Sequence, residues 1–196
     1  MWRSGSRSRR SAAALFALAL FAAGARADEW HPVFTDDGVA VREREMPGRA
    51  LPDFEGEVEI AADAYRIFAV LLDVPAQTAW MWQCEESRVL ARDGDDPIVY
   101  HRLKARWPAT DRNVVFRLVP RVVEPDRRLS VRLLSEANAT APPSPDLMRM
   151  PSLAAEFDLV SLSPTRTRVR YTVAADPGGF LPASYDDVAA RWRARR

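Results

Sequence analysis

The chain has 196 residues, with 28 Lys and Arg against 27 Asp and Glu, a formal net charge of +1, and a single cysteine. A balance so near neutrality argues against a protein that grips nucleic acid through its backbone, which wants a basic surface. The lone Cys84 excludes an intramolecular disulfide, so stability has to come from a packed core.

The first 27 residues read as a secretory signal peptide. Arg3, Arg7, Arg9 and Arg10 form a basic start. Ser11 to Gly24, "SAAALFALALFAAG", is an apolar run too short to span a bilayer comfortably, and Ala25-Arg26-Ala27 is a small-x-small cleavage pattern. The twin arginines leave the Sec or Tat route open. The remaining 28–196 suits one domain with a full core. With five of the arginines removed its net charge is 23 − 27, or −4. The expectation is an exported protein, periplasmic or secreted, that takes no nucleic acid. The oligomeric state is left open.

"GVAVRERE" (Gly38 to Glu45) and "DFEGEVEI" (Asp53 to Ile60) alternate in the manner of strands. In "DAYRIFAVLLDV", Asp63 is a fair N-cap, and Ile67, Val70, Leu71 and Val74 recur at helical spacing. Pro75 ends that helix and opens a short second one near Trp80 to Trp82. Then come strand-like segments separated by turn residues: "ESRVLAR", "IVYHRLKA", "NVVFRLVPRVVE", "RLSVRLLSE", "AAEFDLVSLS" and "TRVRYTVAAD". That is a long antiparallel meander. A terminal helix follows from Ser184, with Tyr185, Val188, Ala189 and Trp192 on one face and acids leading arginines along the dipole. A sheet needs a cover for its apolar face, and this last helix is the obvious one. A curved sheet gripping a helix leaves room for a ligand between them.

The catalytic inventory is thin. There are two histidines, His31 and His101, and no GxSxG, HExxH, CxxC or P-loop. His101 lies mid-strand between Tyr100 and Arg102, and reads either as a sheet-face histidine bonded to a neighbour or as a general base. Cys84 reads as a small buried hydrophobe rather than a nucleophile. No spacing fits a metal site. No catalytic residue and no metal ligand is assigned. The aromatics are more informative, because Trp80, Tyr100, Trp107, Phe116, Tyr171 and Trp192 are spread over the helix pair, the strands and the last helix. Met150 adds soft, adaptable surface. These seven are the candidate lining of an apolar pocket, with ordinary core packing as the alternative for each.

The connection "KARWPATDRNVVF" (Lys104 to Phe116) then gains meaning. "WPATDRNVVF" resembles the "PWP-x-x-DRD-x-V" signature of bacterial START-domain proteins, in the helix-grip superfamily that also holds polyketide cyclases and dehydrases. In the same order, "LLDVPAQTAWMWQCEESRVL" is similar to the family's "D…WM…C-x-ESR-x-L" passage. "LMRMPSLAAEFDLVSLSPTRTRVRYTVAADPGGFLP" is similar to its "RM…W-x-L-x-P…T-x-V-x-Y…DPGG-x-x-P" ending. The chain departs from the pattern at Arg106, at Asn113, at Phe157 or its neighbours Ala154-Ala155, and in a terminal helix shorter than its relatives have.

The resemblance implies an α+β helix-grip fold: a curved antiparallel β-sheet wrapped around a C-terminal helix, with a short helix pair after the second strand. It implies a single START-like domain over 28–196 whose last helix is shortened, an apolar tunnel for a lipid or other hydrophobic small molecule, and no cofactor. Asp111 and Arg112 then belong to a rigid loop at the pocket mouth, satisfying each other or nearby backbone groups, while Trp107-Pro108 fixes the turn's path. An ordinary structural corner is the alternative for that loop. Binding, with or without transport, leads. An aromatase/cyclase-like enzyme built on Tyr100, His101 or Arg102 is a rival, and so is a cell-envelope interaction module with a degenerate pocket. Trp192, if exposed, leaves room for transient membrane contact.

Overall fold

The computed structural model describes residues 29–49, 51–137, 141 and 144–180. The signal peptide, Trp192 and the C-terminal helix read from the sequence lie outside them. The chain opens with β1 (His31–Asp36) and β2 (Val39–Arg44), paired antiparallel. Their turn is Asp37-Gly38, with φ of 48° and 77°. A two-residue hairpin whose twist matches its strands needs positive φ at both positions, and Asp-Gly supplies it. β3 (Asp53–Ile60) pairs with β2.

Helix α1 (Ala64–Leu72) starts where expected. The Asp63 carboxylate accepts from the N–H groups of Tyr65 and Arg66, satisfying donors that the first turn leaves free. After Pro75 comes α2 (Gln77–Trp80). This helix pair carries the chain across the sheet to its far edge. From there β4 (Cys84–Asp93), β5 (Asp96–Leu103), β6 (Arg112–Glu124) and β7 (Arg128–Ser135) meander back. β8 (Met148–Arg149) adds a short parallel pairing to β6, and β9 (Ser152–Ser163) and β10 (Arg166–Asp176) complete the return. The order is β1-β2-β3-β10-β9-β7-β6-β5-β4, so the last strand closes against the third. The observed architecture is a mostly antiparallel ten-stranded sheet with two helices among the described residues. The helix pair follows the third strand rather than the second, because "HPVFTD" also pairs into the sheet.

Alternation divides the sheet into two faces. One, here the inner face, collects Val114, Phe116 and Leu118 of β6, Leu129, Val131 and Leu133 of β7, Ala155 and Leu159 of β9, and Val169 of β10, together with Ala64 and Leu71 of α1. Helix α1 packs on this face over β7 and β9.

The outer face is charged, and its strands alternate in sign. Arg42 and Arg44 on β2 meet Glu55 and Asp53 on β3, with Arg44 to Asp53 at 2.8 Å. From the other side Arg170 on β10 reaches Glu57 at 2.8 Å, and Arg168 reaches Glu59 at 3.5 Å. Beyond β10, Asp158 on β9 accepts Arg128 of β7 at 2.7 Å. Positive β2, negative β3, positive β10, negative β9 and positive β7 thus lie side by side. Opposite charges directly across a ladder are favourable and like charges are not. The outer face of β5 and β6 differs: Ile98, Tyr100 and Val115 form a small apolar cluster under Ala141.

Asp53 is the most enclosed of the outer-face acids and holds both Arg44 and Arg49, the second of which sits on the β2–β3 connection. Asp53→Ala leaves two arginines without their acceptor and should lower stability by about 1–3 kcal/mol, read by urea unfolding. A change below ~0.3 kcal/mol, the scale of an exposed pair, would show the bridge to be surface decoration.

Candidate functional site

The inner face is not equally filled. Over β7 and β6 it is sealed, but on the β3–β10–β9 side Val58, Leu153, Phe157, Tyr171 and Val173 are only partly buried. Phe157 and Tyr171 stack across the ladder, with ring centroids 4.3 Å apart and planes at 29°. Opposite Tyr171 on β3 stands Gly56, where an added Cβ would meet nothing within 4 Å among the described residues. A glycine in mid-strand facing open space marks a hollow rather than a close approach. Tyr171 keeps accessible surface, yet burial pushes its hydroxyl up to about 12. Both hold for a side chain lining a recess, shielded from bulk water but not covered.

At one end of this face the chain is clamped. The Asp111 carboxylate accepts the Ala105 N–H at 2.9 Å and Lys104 Nζ at 3.1 Å. The Ala105 bond, helped by Lys104 and Arg102, holds that carboxyl below its usual range. Asp111 also accepts the Met148 N–H on its backbone oxygen at 2.8 Å, which founds β8. Arg112, beside it, crosses to the segment that follows β10. Its guanidinium donates to the carbonyls of Thr110 and Phe180, the latter at 3.1 Å, with Gly178 at the limit of reach. Gly178 and Gly179 have φ of 64° and 62°, and a Cβ there would stand 2.9 Å from Pro151 Cδ and 2.7 Å from Met148 Cε. Positive φ and close approach explain why both are glycine.

A second polar group is buried between α2 and the sheet. His101 Nε2 lies 2.6 Å from Gln77 Oε1, and Gln77 Nε2 donates to the Leu71 carbonyl at 2.8 Å. Because the amide nitrogen is committed to a carbonyl, its oxygen faces the imidazole, and His101 Nε2 carries the proton. The ring sits edge-on to Phe116 at 4.7 Å. Burial lowers its pKa to about 4, so it is neutral at pH 7. Cys84 is buried too, and its thiol is pushed up by burial. No group of His, Cys, Asp and Glu able to hold a metal occurs among the described residues.

Of the seven residues singled out for the pocket, the structure brings Phe116, Met150 and Tyr171 to the inner face. Phe116 is sealed in the core, while Met150 and Tyr171 stay partly open. Tyr100 is on the outer face instead, under the Arg88 guanidinium at 4.7 Å. Trp107 is 92% exposed at the tip of the β5–β6 loop, and Trp80 is 41% exposed on α2. Trp192 lies outside the described residues. Asp111 meets the Ala105 N–H with Lys104 and Arg102, and Arg112 meets backbone carbonyls, rather than each other. Phe157, Val173, Gly56 and Gln77 were not singled out as site residues. The alternation of "RVRYTV" places Val169, Tyr171 and Val173 on one face, which is a signal for Val173. Gly56 inside a strand pattern is another. Two further hollows, of about 330 and 340 Å³, are lined by none of the seven.

A family model described as polyketide cyclase/dehydrase and lipid transport matches residues 60–196. An uncharacterized protein of Pseudomonas aeruginosa is 29% identical over 172 residues, 88% of this chain and 83% of its own. Among solved structures, the STAR-related lipid transfer protein of Xanthomonas axonopodis is similar with a TM-score of 0.72 at 24% identity, over 83% of this chain and 93% of that one. Human StAR-related lipid transfer protein 5 gives 0.74 at 17% identity, over 85% and 81%. At such identities these two establish likeness of fold.

The buried imidazole generates a pH dependence of definite sign. Its folded pKa lies below the unfolded value of 6.5, so the unfolded chain takes up the proton first. Stability is then flat above pH 6.5 and falls as pH drops towards 4, by about 3 kcal/mol in total. Denaturant midpoints for the parent and His101→Gln between pH 7 and 4.5 check this. The variant should lose most of the slope, and equal slopes would place the titration elsewhere.

Proposed function

We propose that this chain, which belongs to the polyketide cyclase/dehydrase and lipid transport family, binds a lipid or other hydrophobic small molecule in the inner-face recess of its sheet. The observation that carries the reading is the half-open apolar wall of Phe157, Tyr171 and Val173 beside the vacant face of Gly56. An apolar concavity with few polar groups is what such a ligand requires. Two proteins that share the fold are lipid transfer proteins by name, and that agrees with the recess without naming its ligand. We read 184–196 as the helix that closes the recess, gripped by the curved sheet, and 1–27 as the signal that exports the domain. No helix among the described residues is long and apolar enough to cross a membrane.

Binding is favoured over an aromatase/cyclase-like reaction by the fate of the three groups that such a reaction would draw on. Tyr100 and Arg102 share the outer face by strand alternation, where Arg102 meets Glu85 at 3.3 Å. His101 is inward but spends its N–H on Gln77 and is held as a neutral ring. The groups do not converge on one space where a reacting atom could sit.

A fluorescent fatty-acid probe tests the reading. Tyr171→Ala and Phe157→Ala should each weaken probe binding by about 1–3 kcal/mol, the scale of one buried side chain. Trp107→Ala, which removes an outward-facing side chain that is 92% exposed, should leave it within ~2-fold. Probe affinity untouched by both inner-face truncations would sink the recess as the site.

A further inference from the structure

Resting on that reading of the recess, we propose that its ligand is an anionic amphiphile, and that Arg112 binds the acidic head group. Arg112 is 7% exposed. It has the parity of Val114, Phe116 and Leu118 on β6, so it caps the column of apolar side chains that forms the inner face. Among the described residues its guanidinium meets only neutral carbonyls, those of Thr110, Gly178 and Phe180. Its Nε is buried and finds no acceptor among the described residues.

Two other arginines, Arg44 and Arg102, are partly buried as well. Each of them has a carboxylate, Asp53 for Arg44 and Glu85 with Asp111 for Arg102. Arg112 has none among the described residues. The adjacent Asp111 directs its carboxylate away, to Ala105, Lys104 and Arg102. A guanidinium cannot shed its proton to escape burial, and a buried charge without a counter-charge is costly. A planar fork with a free donor, fixed by backbone carbonyls at the end of an apolar face, suits a carboxylate or phosphate carried on a hydrocarbon tail. The carbonyls of Gly178 and Phe180 hold the fork in place, and the Gly178-Gly179 backbone is itself fixed against Pro151 and Met148. The recess then offers two ends of different chemistry: charge at the clamp, and aromatic wall at Phe157 and Tyr171.

The test uses the full chain and a matched series of sixteen-carbon amphiphiles that displace the fluorescent probe: hexadecanoic acid, hexadecyl phosphate, hexadecanol and hexadecyltrimethylammonium. The acid, the phosphate ester or both should bind more than ~10-fold tighter than the alcohol, and the ammonium weakest. Which of the two acids wins tells a carboxylate from a phosphate head. In Arg112→Gln, checked for its fold by circular dichroism, the preference should collapse while hexadecanol affinity is kept. If that variant does not fold, the parent series decides alone. Equal affinity for acid and alcohol in the parent would overturn the proposal and leave the hydrophobic recess standing. Failure of every member to displace the probe would overturn both.

Discussion

A sheet of ten strands presents two faces, and only one of them can be left to water without cost. Everything else in this molecule follows from how the outer face is made soluble. β3 contributes a row of acids, Asp53, Glu55, Glu57 and Glu59, and lies between arginine rows on β2 and β10. This pairing fixes register as well as solubility. A slip of one residue in β3 would turn Glu55 and Glu57 into the apolar face and Phe54 and Val58 out of it. The strand that meets β3 is β10, the last among the described residues, so the charge ladder joins the N-terminal strands to the end of the meander. Individually the bridges are worth little, but in rows they specify which strands are neighbours and how they align.

With the outer face satisfied by charge, the inner face can be almost wholly apolar, and the question becomes what covers it. Helix α1 covers β7 and β9, and there the side chains are sealed. Over β3, β10 and the rest of β9 the cover given by the described residues is incomplete, and Phe157 and Tyr171 retain surface. The long β5–β6 connection belongs to the same account. A tight hairpin would join the strands, but it could not also hold β8 through the Asp111 carbonyl and the Gly178–Phe180 segment through Arg112. The extra residues serve as a bracket that joins three distant parts of the chain at one end of the recess.

Most of the strands were legible because period-2 patterning and turn residues agree, and α1 because Asp63 caps a periodic run. β1 was not, since Pro32 and mixed polarity in "HPVFTD" mask a strand that is paired on one side only. β8 was not, because it is held by bonds from the Met148 and Met150 N–H groups to the Asp111 and Asn113 carbonyls that no local pattern encodes. For the site, the difficulty was the sign of the alternation. In β5, Pro97 to His101 are all buried, so the sequence says that Tyr100 and His101 face opposite ways but not which one faces inward. The answer comes from β6, where Val114 and Phe116 join α1 in the larger cluster. Trp107 misled for another reason. A tryptophan in a loop carries apolar area wherever the loop goes, and only the path of the backbone decides whether that area meets a recess or water.

Among the polar side chains on the inner side of this sheet are His101 and Arg112, and burial treats them differently. An imidazole can answer a low-dielectric setting by giving up its proton, and His101 does so. It then needs only hydrogen bonds, which Gln77 supplies. A guanidinium has no such exit at any pH at which the protein is folded. Its charge has to be met by oxygen dipoles or by an anion. The carbonyls of Thr110, Gly178 and Phe180 meet part of it, and they do so while leaving Nε without an acceptor among the described residues. A position whose only purpose was to tie the 178–180 segment to β6 needs no fixed charge, because a neutral donor can bond a carbonyl without the desolvation penalty that a buried cation carries. The presence of a permanent cation there, on the apolar side of the sheet and away from the charge ladder that pairs Arg42, Arg44, Arg168 and Arg170, is the observation on which the proposal of an acidic ligand rests.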